Sequence, residues 1–483
     1  FPYTTLFRSR FPAQSLLVVT AGTATTVDAL DASGRFIGGM IREFLDDVKE
    51  LDGSLDFGEA ITRKINKIRD LEAGYGGGGI FSGRAAQMFD HEERGRQPPY
   101  GRALDLGTGS GIWGIELAKR GWQVTVLDRA DHPAAGASGL PAGLVAPHTS
   151  PDDALLSQLT RAGVRLMLSR AQALLKEGSD WALSGVEEHR LPGKTRQGGL
   201  PASALEWRQD WTVAAEPVGD HKVLLHHKAG WLKPSQLVMA LLDHPLVEWR
   251  GQQAIEKLEH HEDATWGLWN TQGDQLGPFP QVVLALGPAT DALLKASVAE
   301  VALPLQAVRG QVSWGLRPDA IASNWPVRPV NGHGSFVGSV PTAQGPAWFV
   351  GSSFDRQSNR PEVRSEDHAE NLQRLAELLP EVALRLKTQW EGSGVLQGWA
   401  GVRCTVPDRL PVVGPLDPVQ WPGLHLLTGL GARGLTLSLL CAEVLASQLH
   451  GDPSPVTRRH AQALSTQRFA GYMPSSYTPK TKK

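Results

Sequence analysis

Gly398-Trp-Ala-Gly-Val-Arg-Cys-Thr-Val-Pro-Asp-Arg-Leu-Pro-Val-Val-Gly-Pro415, followed by Leu426-Leu-Thr-Gly-Leu-Gly-Ala-Arg-Gly-Leu-Thr436, is the stretch on which the fold turns. The first piece sets Arg403 beside a turn. The second reads as an apolar strand that breaks into a glycine loop and then a helix. A strand–loop–helix junction leaves backbone N–H groups unpaired at the positive end of the helix, which suits a phosphate or a flavin carbonyl. The residues at that place are Gly429, Gly431, Arg433, Gly434, Leu435 and Thr436.

Upstream, Ala103-Leu-Asp-Leu-Gly-Thr-Gly-Ser-Gly-Ile-Trp-Gly114 opens a βαβ unit, and Lys119-Arg-Gly-Trp-Gln-Val-Thr-Val-Leu-Asp128 closes it. Gly107, Gly109 and Gly111 let the backbone turn tightly against a ligand. Asp128, with Arg129 beside it, stands at the end of the second strand, where a carboxylate bonds ribose hydroxyls. Two cofactors fit this loop. Gly109-Ser-Gly-Ile-Trp-Gly114 satisfies the dinucleotide pattern, while Asp105-x-Gly107-x-Gly109-x-Gly111 is similar to motif I of class I methyltransferases, which bind S-adenosylmethionine. The run after the second strand, His132-Pro-Ala-Ala-Gly-Ala-Ser-Gly-Leu-Pro-Ala-Gly-Leu-Val-Ala146, favours FAD. Its small residues Gly136, Ala137, Ser138 and Gly139 would pack the chain against a pyrophosphate.

These pieces, with Gly230-Trp-Leu-Lys-Pro-Ser-Gln-Leu237, Val282-Val-Leu-Ala-Leu-Gly-Pro288, Leu305-Gln-Ala-Val-Arg-Gly-Gln-Val-Ser313 and Phe349-Val-Gly-Ser-Ser-Phe-Asp-Arg356, resemble the FAD-dependent amine oxidases of the D-amino-acid oxidase superfamily, in the family's order. Within it the resemblance is to the oxidoreductases that act on modified wobble uridines of tRNA. It implies an α/β fold, a Rossmann-like FAD-binding domain interleaved with an antiparallel-sheet substrate domain. FAD-binding segments are expected at 101–225, 282–300 and 396–469, and substrate-domain segments at 226–281 and 301–395. Gly230–Leu237 would begin the excursion into the substrate domain, and the strand ending at Gly287 would return from it. Arg403 sits in Gly401-x-Arg403-x-Thr405-x-x-Asp408-x-x-Pro411, where the family's arginine grips a substrate carboxylate by a bidentate pair. The alternative for Arg403 is a structural salt bridge to Asp408. Arg433 would stabilise a reduced, anionic flavin, and Arg309 is a further flavin-proximal candidate. The implied activity is oxidation at a CH–NH bond, removing the carboxymethyl group from carboxymethylaminomethyl (2-thio)uridine in tRNA. The alternatives are a glycine or D-amino-acid oxidase, a methyltransferase fragment, and a chimeric chain without activity.

The first 100 residues read differently. Phe1–Arg10 looks like a foreign leader. Leu16–Leu30 with Gly34–Gly39 reads as a β-hairpin and resembles a phosphate-loop hairpin of type III pantothenate kinases, with Thr20 where that family has aspartate. Glu59–Glu72 could form an amphipathic helix. Gly74 and Gly76–Gly79 read as a linker, and 470–483 as a tail.

Composition bounds the rest. A chain of 483 residues should hold two to four domains. With 48 basic and 50 acidic residues there is no global electrostatic case for nucleic acid, so a tRNA partner needs a local basic patch. Lys480–Lys483 and Arg458-Arg459 read as solvated surface. Cys404 and Cys441 are not in metal spacing, nor are His226-His227 and His260-His261, read as surface. The expectation is no metal and a reducing cytoplasm. The apolar stretch Leu424–Leu449 contains Arg433 and Glu443 and is read as a buried helix, not a membrane span. Oligomeric state is not legible.

Overall fold

The computed structural model describes the strands 16–21, 25–30 and 36–38, and residues 101–107, 112–192, 211–298, 303–318, 325–392 and 396–469. The chain divides into two compact units, Phe1–Gln97 with Ser447–Val456, and Pro98–Ala446 with Thr457–Lys483. In the first, Leu16–Ala21 pairs antiparallel with Thr25–Leu30, joining Leu16 to Leu30, and Phe36–Gly38 adds a third strand. The expected hairpin is therefore present. The expected leader, the Glu59–Glu72 helix, the glycine linker and the tail lie outside the described residues.

The second unit is built on two large sheets. The six-stranded sheet runs Val247–Arg250, Gln123–Leu127, Arg102–Gly107, Gln281–Ala285, Leu424–Thr428, Val412–Pro415. All neighbours are parallel except the last pair. Strands covered on both faces read as unbroken apolar runs. Val282-Val283-Leu284 and Leu104 and Leu106 are such runs, all at 0–1 % exposure. Leu104, Leu106, Val282 and Leu284 pack with Leu293 and Leu294 of the helix Ala289–Ser297, and with Leu258, Trp266, Leu268 and Phe279 of a three-stranded sheet.

The eight-stranded sheet runs Gln397–Thr405, Gln306–Leu316, Gly345–Gly351, Gly334–Thr342, Val330–Gly332, Val186–Arg190, His221–His226, Thr212–Val218. Its strands alternate faces with period two. Along Gln306–Leu316, the residues Gln306, Val308, Gly310 and Val312 line a cavity. Arg309, Gln311 and Ser313 are fully buried on the other face, against the helix Ser365–Leu378.

The α/β architecture matches the expectation, but the segment boundaries differ. Strands 186–190, 212–218 and 221–226, expected in the cofactor half, belong to the eight-stranded sheet. Val247–Arg250, expected in the substrate half, pairs with Gln123–Leu127 at the edge of the cofactor sheet. Gln397–Thr405 pairs along its length with Gln306–Trp314 in the eight-stranded sheet. Gly230–Leu237, expected to open the excursion, pairs with Gly143–Val145 and runs into the helix Pro234–Leu242, and the following strand joins the cofactor sheet. Pairing between residues a hundred positions apart is a tertiary matter that local pattern does not carry.

Candidate active site

Four parallel strands of the six-stranded sheet end at one cavity of about 2220 Å³, lined by Leu106-Gly107, Leu127-Asp128, Ala285–Gly287 and Leu427–Gly429. This is where open α/β sheets bind ligands, beyond the carboxyl ends of the strands. The volume exceeds the ~300–1,000 Å³ usual for a single small-molecule site, leaving room for a cofactor and a substrate together. The opposite wall is the eight-stranded sheet, through Val308, Gly310, Val312, Val337 and Phe349.

The residues predicted for the cofactor mostly meet here. Gly107, Asp128, Arg129, Gly136, Ala137, Ser138, Gly287, Gly429, Gly431, Arg433, Gly434, Leu435 and Thr436 all line the cavity. Gly139 does not line it; a Cβ there would meet the Ala134 carbonyl at 2.7 Å, so its glycine serves the tight turn. Gly109 and Gly111 lie outside the described residues. Asp105 is buried and sits beside Gly107 and Gly114 rather than in the cavity.

Asp128 tests whether an adenosine cofactor fits. Its Oδ1 accepts the Ala130 N–H at 2.9 Å, while its Oδ2 is buried with no hydrogen-bond partner. Burial raises its pKa, opposed by the Ala130 N–H and by Arg129. A buried carboxylate oxygen with no donor is costly, and a ribose hydroxyl would satisfy it. Across the cavity, Gly287, Gly429 and Gly431 hold φ of +58°, +73° and +59°, left-handed conformations that favour glycine. A Cβ on Gly434 would meet nothing within 4 Å, so the helix Gly434–His450 begins as bare backbone against open space. The residues present thus fit FAD. The loop is held from behind. Gly163, on the helix Leu155–Leu174, lets that helix approach so closely that a Cβ would lie 2.0 Å from the Thr436 carbonyl.

Arg403 lines the cavity and is not paired with Asp408. Its Nη1 donates to Ser352 Oγ at 3.0 Å, and its Nη2 to the Ser353 carbonyl at 2.9 Å. The guanidinium lies 4.1 Å from the Phe354 ring centroid. Burial, then the charge of Arg374, lower its pKa to about 10, so it remains cationic at neutral pH. Among the described residues no carboxylate pairs with it. Gly310 makes its space: a Cβ there would fall 2.2 Å from Arg403 Nη2. Asp408 instead binds Arg468, whose Nε lies 2.9 Å from its Oδ2.

Arg309 is not flavin-proximal. It is fully buried on the far face, with Asp367 at 2.6 Å, Gln311 Oε1 at 3.0 Å and the Glu362 carbonyl as partners. His226 is not a surface residue either. It is 1 % exposed, with Nδ1 at 2.9 Å from Thr212 Oγ1 and Nε2 at 3.0 Å from Glu188 Oε2.

Sequence reading missed the polar wall of the cavity, His148, Thr149, Glu188 and Arg190, and also Arg409. Burial works to raise the Glu188 pKa, but His226, Arg190 and Thr149 prevail and bring it to about 2. Val186-Glu-Glu-His-Arg190 has no motif; only the partner strands reveal which of its side chains face inward.

Comparison with known proteins agrees with this geometry. A family model described as FAD dependent oxidoreductase matches residues 109–448, and one described as type III pantothenate kinase matches residues 4–42. A tRNA 5-methylaminomethyl-2-thiouridine biosynthesis bifunctional protein MnmC of Polaromonas naphthalenivorans is 45 % identical over 387 residues, covering 76 % of this chain and 60 % of that protein. The protein of the same name from Ralstonia nicotianae is 34 % identical over 413 residues, covering 77 % and 60 %. The chain thus spans about 60 % of the length of these relatives. Among solved structures, glycine oxidase from Geobacillus kaustophilus superposes with a TM-score of 0.58 at 20 % identity, covering 76 % of this chain and 99 % of that one. L-proline dehydrogenase from P. horikoshii gives 0.58 at 14 % identity, covering 78 % and 99 %. Among the described residues no helix is long and apolar enough to cross a membrane, and no cluster of ligating side chains could hold a metal.

Proposed function

The chain belongs to the DAO family of FAD-dependent oxidoreductases, and on that premise we propose that it oxidises a carboxylate-bearing secondary amine at its CH–NH bond. The substrate would be the carboxymethylaminomethyl group of a (2-thio)uridine at the tRNA wobble position, acted on in the cytoplasm. The observation that carries this is Arg403, a half-buried, cationic, cavity-lining guanidinium with no carboxylate partner among the described residues. The names of the 45 %-identical relatives support the tRNA assignment.

Asp128 would hold the ribose of FAD, and the loop Gly429–Thr436 would face its ring system with backbone N–H groups. FAD, when bound, supplies the two-electron acceptor. Arg403 would bind the substrate carboxylate through its remaining N–H groups and so orient the adjacent C–H. Val312, Val337 and Phe349 form one apolar cluster with Ala142 and Trp231. Such a surface disfavours an ammonium and would keep the amine neutral, the form that can give up hydride.

The test is to incubate the flavin-loaded protein with tRNA carrying carboxymethylaminomethyluridine and follow the mass of the nucleoside. Loss of the carboxymethyl group supports the reading. Turnover of glycine or N-methylglycine with no change in the tRNA would transfer the assignment to a free amino-acid oxidase.

A further inference from the structure

With 48 basic and 50 acidic residues, any attraction of this chain for a polyanion must be local. Besides Arg403, four cavity-lining arginines have no ion-pair partner among the described residues, Arg129, Arg356, Arg409 and Arg433, and the last two act on each other. They are close enough for the charge of Arg409, after burial, to lower the pKa of Arg433. Two like charges lining one cavity, neither with an ion-pair partner, are an unfavourable arrangement that an anion would relieve.

Arg409 is placed there with effort. Its φ is +63°, the left-handed region that a non-glycine residue seldom adopts. The turn is braced on both sides: Arg409 N–H donates to the Val406 carbonyl at 3.0 Å, and Leu410 N–H to Asp408 Oδ1 at 3.0 Å. Arg468 then clamps Asp408 at 2.9 Å and donates to the Leu410 carbonyl at 2.7 Å. The brace is spent on the backbone and leaves the Arg409 side chain exposed at the cavity. His148 shares that wall, with Nδ1 3.0 Å from Ser157 Oγ. Burial, followed by the Arg433 charge, lowers its pKa to about 4, so it is neutral at physiological pH and adds no third charge. With Nδ1 engaged by Ser157, Nε2 is the ring nitrogen left without a hydrogen-bond partner among the described residues.

We propose that Arg409, Arg433 and the His148 imidazole form a subsite for a phosphodiester of the polynucleotide substrate. It rests on the tRNA reading above, and it supplies the local basic patch that reading requires. Arg403 takes the carboxylate at the reacting end, and this second group takes the backbone that carries the nucleoside in. Two anions on one substrate at two separate cationic groups would fix its direction in the cavity.

The experiment uses the flavin-loaded protein and its Arg409→Gln and Arg409→Lys variants. Affinity for unmodified tRNA is measured against salt concentration, with turnover of modified tRNA and of N-methylglycine and with flavin content. Arg409→Gln should weaken tRNA binding by roughly ten-fold at low salt and lessen the salt slope by about one. Arg409→Lys should retain much of the binding, since lysine keeps the charge. N-methylglycine turnover and flavin content should not change. Unchanged tRNA affinity and slope in Arg409→Gln would overturn the subsite. An equal loss on N-methylglycine would make the group a carboxylate site, and loss of flavin a cofactor site; either sinks the proposal. If the parent protein binds no tRNA, the subsite and the tRNA reading fail together. If it binds tRNA through Arg409 but does not convert it, only the reaction assignment fails.

Discussion

Arg309 and Arg403 lie on adjacent hydrogen-bonded strands and yet serve opposite faces of the sheet. Arg403 pairs across the ladder with Val308, and Arg309 with Val402. The one-residue offset sends Arg403 into the cavity and Arg309 into a buried network with Asp367 at 2.6 Å. Two arginines of similar appearance in the sequence therefore predict different phenotypes.

Arg403→Lys should lower kcat/KM on a carboxylated amine by roughly 10- to 100-fold, the worth of a charged hydrogen bond of ~1.5–3 kcal/mol. Lysine keeps the charge but cannot orient a carboxylate by two parallel bonds. Flavin content and melting temperature should hold. Arg309→Met, by contrast, strands Asp367 in the interior and should cost ~3–5 kcal/mol of stability. Parallel melting curves and steady-state kinetics separate the two. Full activity of Arg403→Lys on every substrate would remove the carboxylate role.

Asp128→Ala should weaken FAD binding by ~1.5–3 kcal/mol through loss of the charged partner for ribose. Titration with FAD and with S-adenosylmethionine checks both readings of the glycine loop. Unchanged affinity for both would take Asp128 out of the site.

Gly163→Ala should disturb the flavin-facing loop from behind, since the added methyl would lie 2.0 Å from the Thr436 carbonyl, a backbone atom that cannot rotate away. The helix Leu155–Leu174 must retreat, and Gly434–Thr436 with it. Flavin content and melting temperature should fall together. A variant that retains both would show that the two helices can part without moving the loop.

Glu116 predicts an alkaline loss of stability. It is 1 % exposed, 2.7 Å from Arg170 and beside Glu443, which binds Arg120 at 2.8 Å. Burial, then the charge of Glu443, raise its pKa to about 8. The folded state therefore holds a proton that the unfolded chain releases near 4.5. Its contribution is full below that value and is lost as pH rises through about 8. Melting temperature should decline across this window in the parent protein and decline less in Glu116→Gln, which stays neutral. Equal slopes in the two would place the alkaline sensitivity elsewhere.

Glu188 works in the opposite direction. Its depressed pKa, about 2, means that its contribution is present above the ordinary carboxylate value near 4.5 and is lost as pH falls toward 2. Glu188→Gln should flatten the acid limb of the stability profile. An acid limb as steep as the parent's would show that Glu188 is not what titrates there.

The sequence by itself determined the fold class and the cofactor side of the cavity. Strand–glycine–helix junctions are local: the apolar run, the turn glycines and Asp128 fall within about 25 positions, and φ angles such as +73° at Gly429 are imposed by the turn itself. The order of such pieces along the chain was enough to read the family. Tertiary structure alone decided the substrate side. Whether Asp408 or open space faces Arg403, whether Arg309 looks at the cavity or at Asp367, and whether His226 is at the surface or behind Glu188 all depend on strand register. A shift of one residue reverses every side chain on a strand. Register between 306–314 and 397–405 is set by contacts ninety positions apart, and nothing in either segment states it.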